Sequence, residues 1–203
     1  MNKPPDSCEA SRAPYPDPRF QVPLISLMPG EFHAGRGETG YTTLLGSCVA
    51  ACIWDTEQGI GGMNHFLLPA SGDIDPVQSG WNKAARYGDL AMELLINKLI
   101  VLGARRTSLA AKLFGGGAVL SGSRSLVGAR NAEFAQRYLE LEKIRLAAHD
   151  LGGNSGRQIY FFPANGEAFV RKVTGGNRDL AQREIEFAKR LQTDEQQGSV
   201  FLF

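Results

Sequence analysis

Two side chains, Cys48 and His65, are of the types that carry out nucleophilic chemistry together. An imidazole beside a thiol takes up its proton and leaves a thiolate, which is the reactive form of cysteine. Cys48 follows the dipeptide Gly46-Ser47, whose backbone N–H groups could hold the oxyanion that forms when a thiolate attacks a carbonyl carbon. The pattern therefore indicates a cysteine-based acyl-transfer site, provided that the fold brings the two side chains together.

A β-hairpin would bring them together. Asp55–Gln58 has turn chemistry, and a loop at these four residues pairs Cys48 with His65 across two antiparallel strands. Directly opposed residues share one face of a sheet, with Cβ atoms about 4.5–5.5 Å apart. A bulge at Gly61-Gly62 would instead shift the register by one residue and place the two side chains on opposite faces.

A third group is needed to fix the tautomer of the imidazole. From the residues alone, the hydroxyl of either Thr42 or Thr43 could supply it. Cys48 is expected to be a partly exposed thiolate, whereas Cys52, with apolar neighbours, is expected to be a buried neutral thiol. Zinc is disfavoured, because the two cysteines lack the C-x-x-C spacing and no second Cys/His pair accompanies them. A purely structural cysteine and histidine stays open as an alternative.

The composition excludes several classes of protein. The chain has 203 residues, which favours one domain over two. Lys and Arg number 22 against 21 Asp and Glu, so there is no basic excess to suggest a nucleic-acid or membrane-surface partner. No apolar run approaches the roughly 20 residues that span a bilayer, and the N-terminus lacks the apolar core of a secretory signal. With an odd number of cysteines, these features predict a cytoplasmic protein without membrane insertion.

Hydrophobic periodicity predicts an α+β fold, a β-sandwich of largely antiparallel strands with flanking helices. We expect a disordered, proline-rich arm over residues 1–19, one domain over 20–177 and a polar helical extension over 178–203. The expected elements are a strand ending at Pro29-Gly30, the cysteine–histidine hairpin, helices at Trp81–Leu102, Ala129–Leu141 and about Leu180–Leu191, strands at Thr107–Phe114 and Ile144–Ala148, and a hairpin around Asn165-Gly166. Gly115–Gly117 predicts close backbone packing beside the Cys48 turn, because no Gly-Lys-Ser/Thr follows to make it a phosphate loop.

Several segments in chain order make the sequence resemble the CheD family of chemoreceptor glutamine deamidases, from Leu24 to Val173. They are Thr42-Thr-Leu-Leu-Gly-Ser-Cys48-Val-Ala, Gly61-Gly-Met-Asn-His65-Phe-Leu-Leu-Pro69, Lys112-Leu-Phe-Gly-Gly-Gly-Ala, Gly128-Ala-Arg-Asn131, Asp150-Leu-Gly-Gly and Val170-Arg-Lys-Val. The resemblance implies a cysteine hydrolase with a β-sandwich core. It implies that Cys48 is the nucleophile, His65 the general base and acid, and Thr42 the orienting hydroxyl.

The resemblance also implies the substrate and the partners. The substrates would be glutamines on the cytoplasmic helices of chemoreceptors, hydrolysed to glutamate without a metal or an organic cofactor. A CheC-type phosphatase is an implied partner. The alternative is an adaptor that binds receptors or a CheC-type phosphatase without turnover, and cysteine peptidases or transglutaminases share the same thiolate chemistry.

Overall fold

The computed structural model describes residues 8–68, 83–119, 125–173 and 182–190, which form ten strands and three α-helices. The strands are β1 (Cys8–Glu9), β2 (Leu24–Ser26), β3 (Glu31–Arg36), β4 (Gly40–Leu45), β5 (Val49–Asp55), β6 (Ile60–Asn64), β7 (Leu109–Gly115), β8 (Arg145–Leu151), β9 (Gly156–Phe162) and β10 (Glu167–Val173). The helices are α1 (Lys83–Val101), α2 (Ser125–Leu141) and α3 (residues 182–190), with a short 3-10 helix at Arg106–Ser108.

The strands form two sheets, which confirms the predicted α+β fold. The large sheet has the order β1-β3-β6-β5-β7-β8, and the small sheet has the order β10-β9-β4-β2. Three neighbouring pairs are parallel, namely β1 with β3, β2 with β4 and β7 with β8, and the other pairs are antiparallel. None of the helices in the described ranges is long and apolar enough to cross a membrane.

The large sheet is the middle of three layers, and β5 shows why. Its seven residues are all buried, and their side chains alternate between the two faces of the sheet. Val49, Ala51 and Ile53 pack with the apolar faces of α1 and α2. Ala50, Cys52 and Trp54 pack with the small sheet, and together these residues form the second half of the core. The sequence of a central strand that is covered on both faces is a nearly continuous run of apolar residues, and the sequence of β5 has this pattern.

The chain passes from the small sheet to the large one between β4 and β5. This crossing consists of Gly46–Cys48, the three residues between the two strands. The predicted break at Gly46-Ser47 is therefore the point at which the chain changes sheets. Cys48 lies at the end of the crossing, between the two layers, and is fully buried.

The predicted hairpin of β5 and β6 is present, but its register differs from the expected one. Trp54 pairs with Gly61, and Val49 bridges to Phe66. The four-residue loop is 56–59, one residue further along the chain than the expected Asp55–Gln58. This change moves the pairing by two residues, so Cys48 does not lie opposite His65. A shift of two residues keeps every side chain on the same face of the sheet. The side chains of Cys48 and His65 are therefore still neighbours, in diagonal positions across the two strands.

Most of the other elements lie where the periodicity predicts them. The hairpin at Asn165-Gly166 is confirmed, with Phe162 paired to Glu167 across it. Gly166 has a positive φ of 71°, which glycine adopts without steric cost. The sequence did not predict β3 as a separate strand. The start of the predicted first helix at Trp81, the ends Leu180 and Leu191 of the predicted last helix, and the boundary at 177/178 lie outside the described residues.

Residues 8–19 do not form the disordered arm that the sequence predicted. β1 pairs in parallel with β3, and the N–H of Ala10 donates to the carbonyl of Phe32 at 2.8 Å. The Arg19 guanidinium lies 4.8 Å from the centre of the Tyr160 ring. An edge strand needs only backbone hydrogen bonds to attach, so a segment with few apolar side chains can still be ordered. Residues 1–7 lie outside the described part.

Substitution of Gly115 tests how closely the backbone packs beside the crossing. Gly115 has a φ of 110°, and a Cβ there would lie 2.1 Å from the carbonyl oxygen of Cys48. The backbone strain of alanine at this φ and the overlap of its Cβ with that oxygen should both destabilise the fold. We therefore expect Gly115→Ala to lower the free energy of unfolding by about 3 kcal/mol or more. Urea denaturation would measure the change.

Gly152 is the matched control, because it also has a positive φ, 77°, but no atom within 4 Å of an added Cβ. Gly152→Ala should cost only the backbone strain, about 1–2 kcal/mol. Equal losses in the two variants would contradict the packing argument.

Candidate active site

The backbone of the crossing is fixed by its carbonyl groups. All three carbonyls of Gly46–Cys48 accept a hydrogen bond, in chain order from the N–H of Gly117 (2.7 Å), from Nδ2 of Asn131 (2.8 Å) and from the N–H of Gly116 (2.8 Å). With the carbonyls held in this way, the N–H groups of the same three residues all donate to one carboxylate, that of Glu184. Such convergent N–H groups form a concave site for an anion.

Gly115–Gly117 packs against the crossing as the sequence predicted. An added Cβ at Gly116, whose φ is 65°, would lie 2.8 Å from the carbonyl oxygen of Gly128 on α2. Only glycine allows both the positive φ and this approach of two backbones. The run of three glycines therefore brings two N–H donors to the crossing.

Asn131 is a positioning residue that the sequence reasoning missed. It is fully buried, its Nδ2 donates to the carbonyl of Ser47, and its Oδ1 accepts from the N–H of Leu68 at 2.9 Å. It thereby joins the segment of Cys48 to the segment of His65. Asn131 lies four residues before Ala135 and seven before Tyr138, which places it on the buried face of α2. This helical spacing is the sequence pattern that could have predicted its burial.

The ring of His65 is held in one tautomer. Nδ1 lies 2.7 Å from Oγ1 of Thr43, and that hydroxyl donates its only hydrogen to the carbonyl of Leu27 at 2.8 Å. The hydroxyl must therefore accept from Nδ1–H, which leaves Nε2 with its lone pair. Nε2 is buried and has no hydrogen-bond partner among the described residues. In this tautomer Nε2 is the ring nitrogen that can accept a proton.

Thr43, and not Thr42, is therefore the threonine that orients His65, so the expected contact of Thr42 is wrong. Oγ1 of Thr42 accepts a hydrogen bond from Nε2 of Gln158 at 2.5 Å. Successive side chains of a strand point to opposite faces. Tyr41 and Leu45 pack into the core between the two sheets, and Thr43 lies on their side of β4, toward His65.

Glu184 of α3 binds to the N–H groups of the crossing. Its carboxylate accepts hydrogen bonds from the N–H groups of Gly46 (2.8 Å), Ser47 (2.9 Å) and Cys48 (3.2 Å), and from Oγ of Ser47 (2.6 Å). The side chain is buried. The sequence predicts a polar helix here but no role for it at the site. The spacing of Glu184, Phe187 and Ala188 on one helical face was the only local signal that these side chains point inward.

The three side chains of Cys48, His65 and Glu184 lie close together, with their possible ligand atoms within 4.8 Å of one another. Burial and the neighbouring carboxylate raise the pKa of the Cys48 thiol well above its ordinary value. The expectation of a partly exposed thiolate is therefore wrong for this arrangement, in which the thiol is covered and neutral. Cys52 is a buried thiol with a raised pKa, as predicted.

Cysteine, histidine and glutamate are also residue types that bind Zn²⁺. Both oxygens of Glu184 already accept backbone N–H groups, so a metal ion would have to compete with these donors. The contacts of Glu184 are therefore those of a carboxylate bound by backbone N–H groups, and they fit a metal ligand less well. A cavity of about 150 Å³ adjoins His65 and Glu184, with Gln158 and Arg183 among its lining residues. It has room for at least one water molecule.

Comparisons with known proteins agree with the resemblance described above. The family model described as "CheD chemotactic sensory transduction" matches residues 67–172. A "Probable chemoreceptor glutamine deamidase CheD" of Janthinobacterium sp. is 46% identical over 192 residues, which cover 93% of this chain and 93% of that protein. The relative named "CheD 1" from Dechloromonas aromatica is 46% identical over 191 residues, with the same coverage of both chains. The relative from Shewanella oneidensis is 46% identical over 191 residues, covering 93% of this chain and 92% of its own.

Among solved structures, the crystal structure of a Neisseria meningitidis protein matches with a TM-score of 0.36 and 11% identity, over 66% of this chain and 64% of that chain. A likeness this weak carries no argument about fold or function.

The pH dependence of stability tests the buried state of His65. Burial lowers the pKa of its imidazole from 6.5 to about 4. Between these two values the unfolded chain binds more protons than the folded protein, so the free energy of unfolding should fall as the pH drops from 6.5 toward 4. One pKa unit is worth about 1.4 kcal/mol, so the loss due to His65 should be about 3 kcal/mol.

Urea denaturation of the wild type and of His65→Gln over this pH range would isolate the contribution of the ring. The variant should lose less stability than the wild type, because it lacks the titrating group. His149 is exposed, and His149→Gln should follow the wild type. A His65→Gln profile as steep as that of the wild type would show that His65 is not the group responsible.

Proposed function

Since the chain belongs to the CheD family, we infer that it is a chemoreceptor glutamine deamidase that uses Cys48 as its nucleophile. The reaction hydrolyses the side-chain amide of a glutamine to a carboxylate and releases ammonia. The observation that carries the assignment of the site is the convergence of a thiol, an imidazole and three backbone N–H groups at the crossing between the two sheets. Each of these groups has a defined task in amide hydrolysis.

The first half of the reaction forms a thioester. Nε2 of His65 takes the proton of the Cys48 thiol, and the thiolate attacks the carboxamide carbon of the glutamine. The carboxamide oxygen gains the negative charge and is held by the N–H groups of Gly46–Cys48. The imidazolium then gives its proton to the nitrogen, the C–N bond breaks, and ammonia leaves.

The second half releases the product. Water reaches the thioester, and Nε2 of His65 removes one of its protons as the oxygen attacks the same carbon. The tetrahedral intermediate again places its oxyanion at the three N–H groups. The C–S bond breaks, the sulfur regains its proton, and the glutamate side chain departs. Thr43 keeps the ring in the tautomer that both halves require, and no metal or organic cofactor takes part.

The substrate glutamines belong to the cytoplasmic helices of chemoreceptors, so we place the protein in the cytoplasm. Conversion of a neutral amide to a carboxylate adds one negative charge to a receptor helix, which changes the interactions of that helix with its neighbours. A CheC-type phosphatase is the second partner that we propose. The chain has 22 basic and 21 acidic residues. This near balance gives no support for a role in nucleic-acid binding.

An adaptor that binds the receptor without turnover is the alternative. The arrangement of His65 argues against it, because an adaptor has no physical need for an imidazole whose tautomer is fixed by Thr43 and whose Nε2 is buried without a partner. A buried nitrogen without a hydrogen-bond partner lowers the stability of the fold. A catalytic role explains why the protein nevertheless has one here.

Cys48→Ala separates catalysis from docking. The change removes the sulfur and little volume, so receptor binding should stay close to that of the wild type. Deamidation of a receptor cytoplasmic fragment should fall by at least about a thousandfold, because the covalent step is lost. Mass spectrometry of the receptor glutamines would measure turnover, and a pull-down would measure binding. Undiminished deamidation by the purified variant would refute the cysteine mechanism.

Thr43→Val and Thr42→Val form a matched pair on the same strand. Each replaces a hydroxyl by a methyl group of similar size, but only Thr43 contacts the ring of His65. Thr43→Val should lower kcat by about tenfold to a hundredfold through misorientation of the imidazole, and should change the pH profile of kcat. Thr42→Val should leave that profile unchanged. The assignment of Thr43 would be wrong if the larger loss and the altered profile belonged to Thr42→Val.

A further inference from the structure

Glu184 has the chemical form of the product of the proposed reaction. Deamidation leaves a glutamate side chain whose carboxylate has one oxygen at the oxyanion site, next to the sulfur of the nucleophile. Oε1 of Glu184 accepts from the N–H groups of Gly46 and Cys48, and the carboxylate lies within 4.8 Å of the Cys48 sulfur and of His65. A glutamate of the chain itself thus occupies the position where the substrate side chain must enter.

The surroundings of Glu184 are those of a bound ligand side chain and differ from those of a structural ion pair. Within the described ranges no lysine or arginine forms a salt bridge with it, although a buried carboxylate normally needs such a partner. Its charge is met by backbone N–H groups, the same donors that would stabilise an oxyanion. A Cβ at Gly46 would lie 2.9 Å from Oε1, so glycine is what allows the carboxylate to approach.

α3 holds this carboxylate in place through its apolar face. Phe187, one turn after Glu184, is 5% exposed and belongs to the core between the two sheets, and Ala188 packs against the same core. Gln182 and Glu186 lie on the outer face and are exposed. The helix therefore covers the nucleophile, which is fully buried.

We propose that α3 is a built-in product analogue, with Glu184 in the substrate site, and that a glutamine-bearing helix of the receptor must displace it before turnover. The inference rests on the proposed deamidase function. Because Glu184 is tethered, its competition with the substrate is intramolecular, at an effective concentration set by its place in the fold. In the resting protein α3 covers the site at Cys48. The site becomes accessible when the receptor helix takes the place of α3.

Glu184→Gln provides a direct test, because it turns the product analogue into a substrate. The variant should deamidate itself: Cys48 attacks the carboxamide carbon, the C–N bond breaks with loss of ammonia, and water hydrolyses the thioester to restore glutamate at position 184. Peptide mass spectrometry of the full-length purified chain should find glutamate there. The double variant Cys48→Ala/Glu184→Gln should retain glutamine.

The same helix supplies the matched controls. Gln182 is a native glutamine two residues away, and Glu186→Gln places another on the exposed face; both should remain glutamine. Conversion at these positions as fast as at 184 would indicate unselective chemistry and overturn the proposal. Retention of glutamine at 184 by a chain that deamidates a receptor fragment would also overturn it, with the deamidase function intact. Loss of both reactions would instead count against the proposed function itself.

Removal of both anchors of α3 tests the covering role. The full-length variant Glu184→Ala/Phe187→Ala should label with iodoacetamide at Cys48 at least about tenfold faster than the wild type, because the tethered competitor is gone. Cys52, buried in β5, is the internal reference and should stay slow. Gln182→Ala/Glu186→Ala changes two exposed residues of the same helix and should match the wild type. Equal labelling of Cys48 in the wild type and in the first variant would contradict the proposal.

Discussion

The three hydrogen bonds that hold the carbonyls of Gly46–Cys48 are the constraint on which the site depends. They come from two glycine N–H groups after β7 and from the amide of Asn131 on α2, so two separate segments fix one short loop. With these carbonyls engaged, the N–H groups of the same three residues all donate to the carboxylate of Glu184. The anion site is therefore built from a loop whose carbonyls are held by other parts of the fold, and such fixed donors favour electrostatic stabilisation of a transition state.

The position of this loop between two sheets explains why the cysteine and the histidine meet. β4 and β5 belong to different sheets, and Cys48 between them is part of the core that the two sheets share. His65 follows β6, the neighbour of β5, and its backbone N–H donates to the carbonyl of Glu31 on β3 at 2.9 Å. Its ring then reaches across to Thr43 on the small sheet. The imidazole is thus held by both layers, and its geometry depends on the packing of one sheet on the other.

The sequence was sufficient for the parts of the site that follow from local patterns. The apolar run before and after Gly46-Ser47 and the three glycines at 115–117 lie where they were expected, and the hairpin of β5 and β6 is present with its pairing moved by two residues. The choice between Thr42 and Thr43 was not predictable, because it depends on which parity of β4 faces the large sheet, and only the packing of the two layers decides this. Glu184 lay beyond reach for a different reason. It meets Gly46 across 138 positions of the chain, and no local pattern of a polar helix records a contact so distant.

The complete burial of Cys48 also affects its chemistry toward oxidants. Hydrogen peroxide reacts with an accessible thiolate and leaves a buried neutral thiol almost untouched. While α3 lies over the crossing, the sulfur is both covered and protonated, so the resting protein is resistant to formation of sulfenic acid at its nucleophile. Sensitivity to oxidation arises only when the helix leaves, and damage by oxidants is then confined to the molecules engaged with a partner. The covering helix protects the reactive atom for as long as the protein is idle.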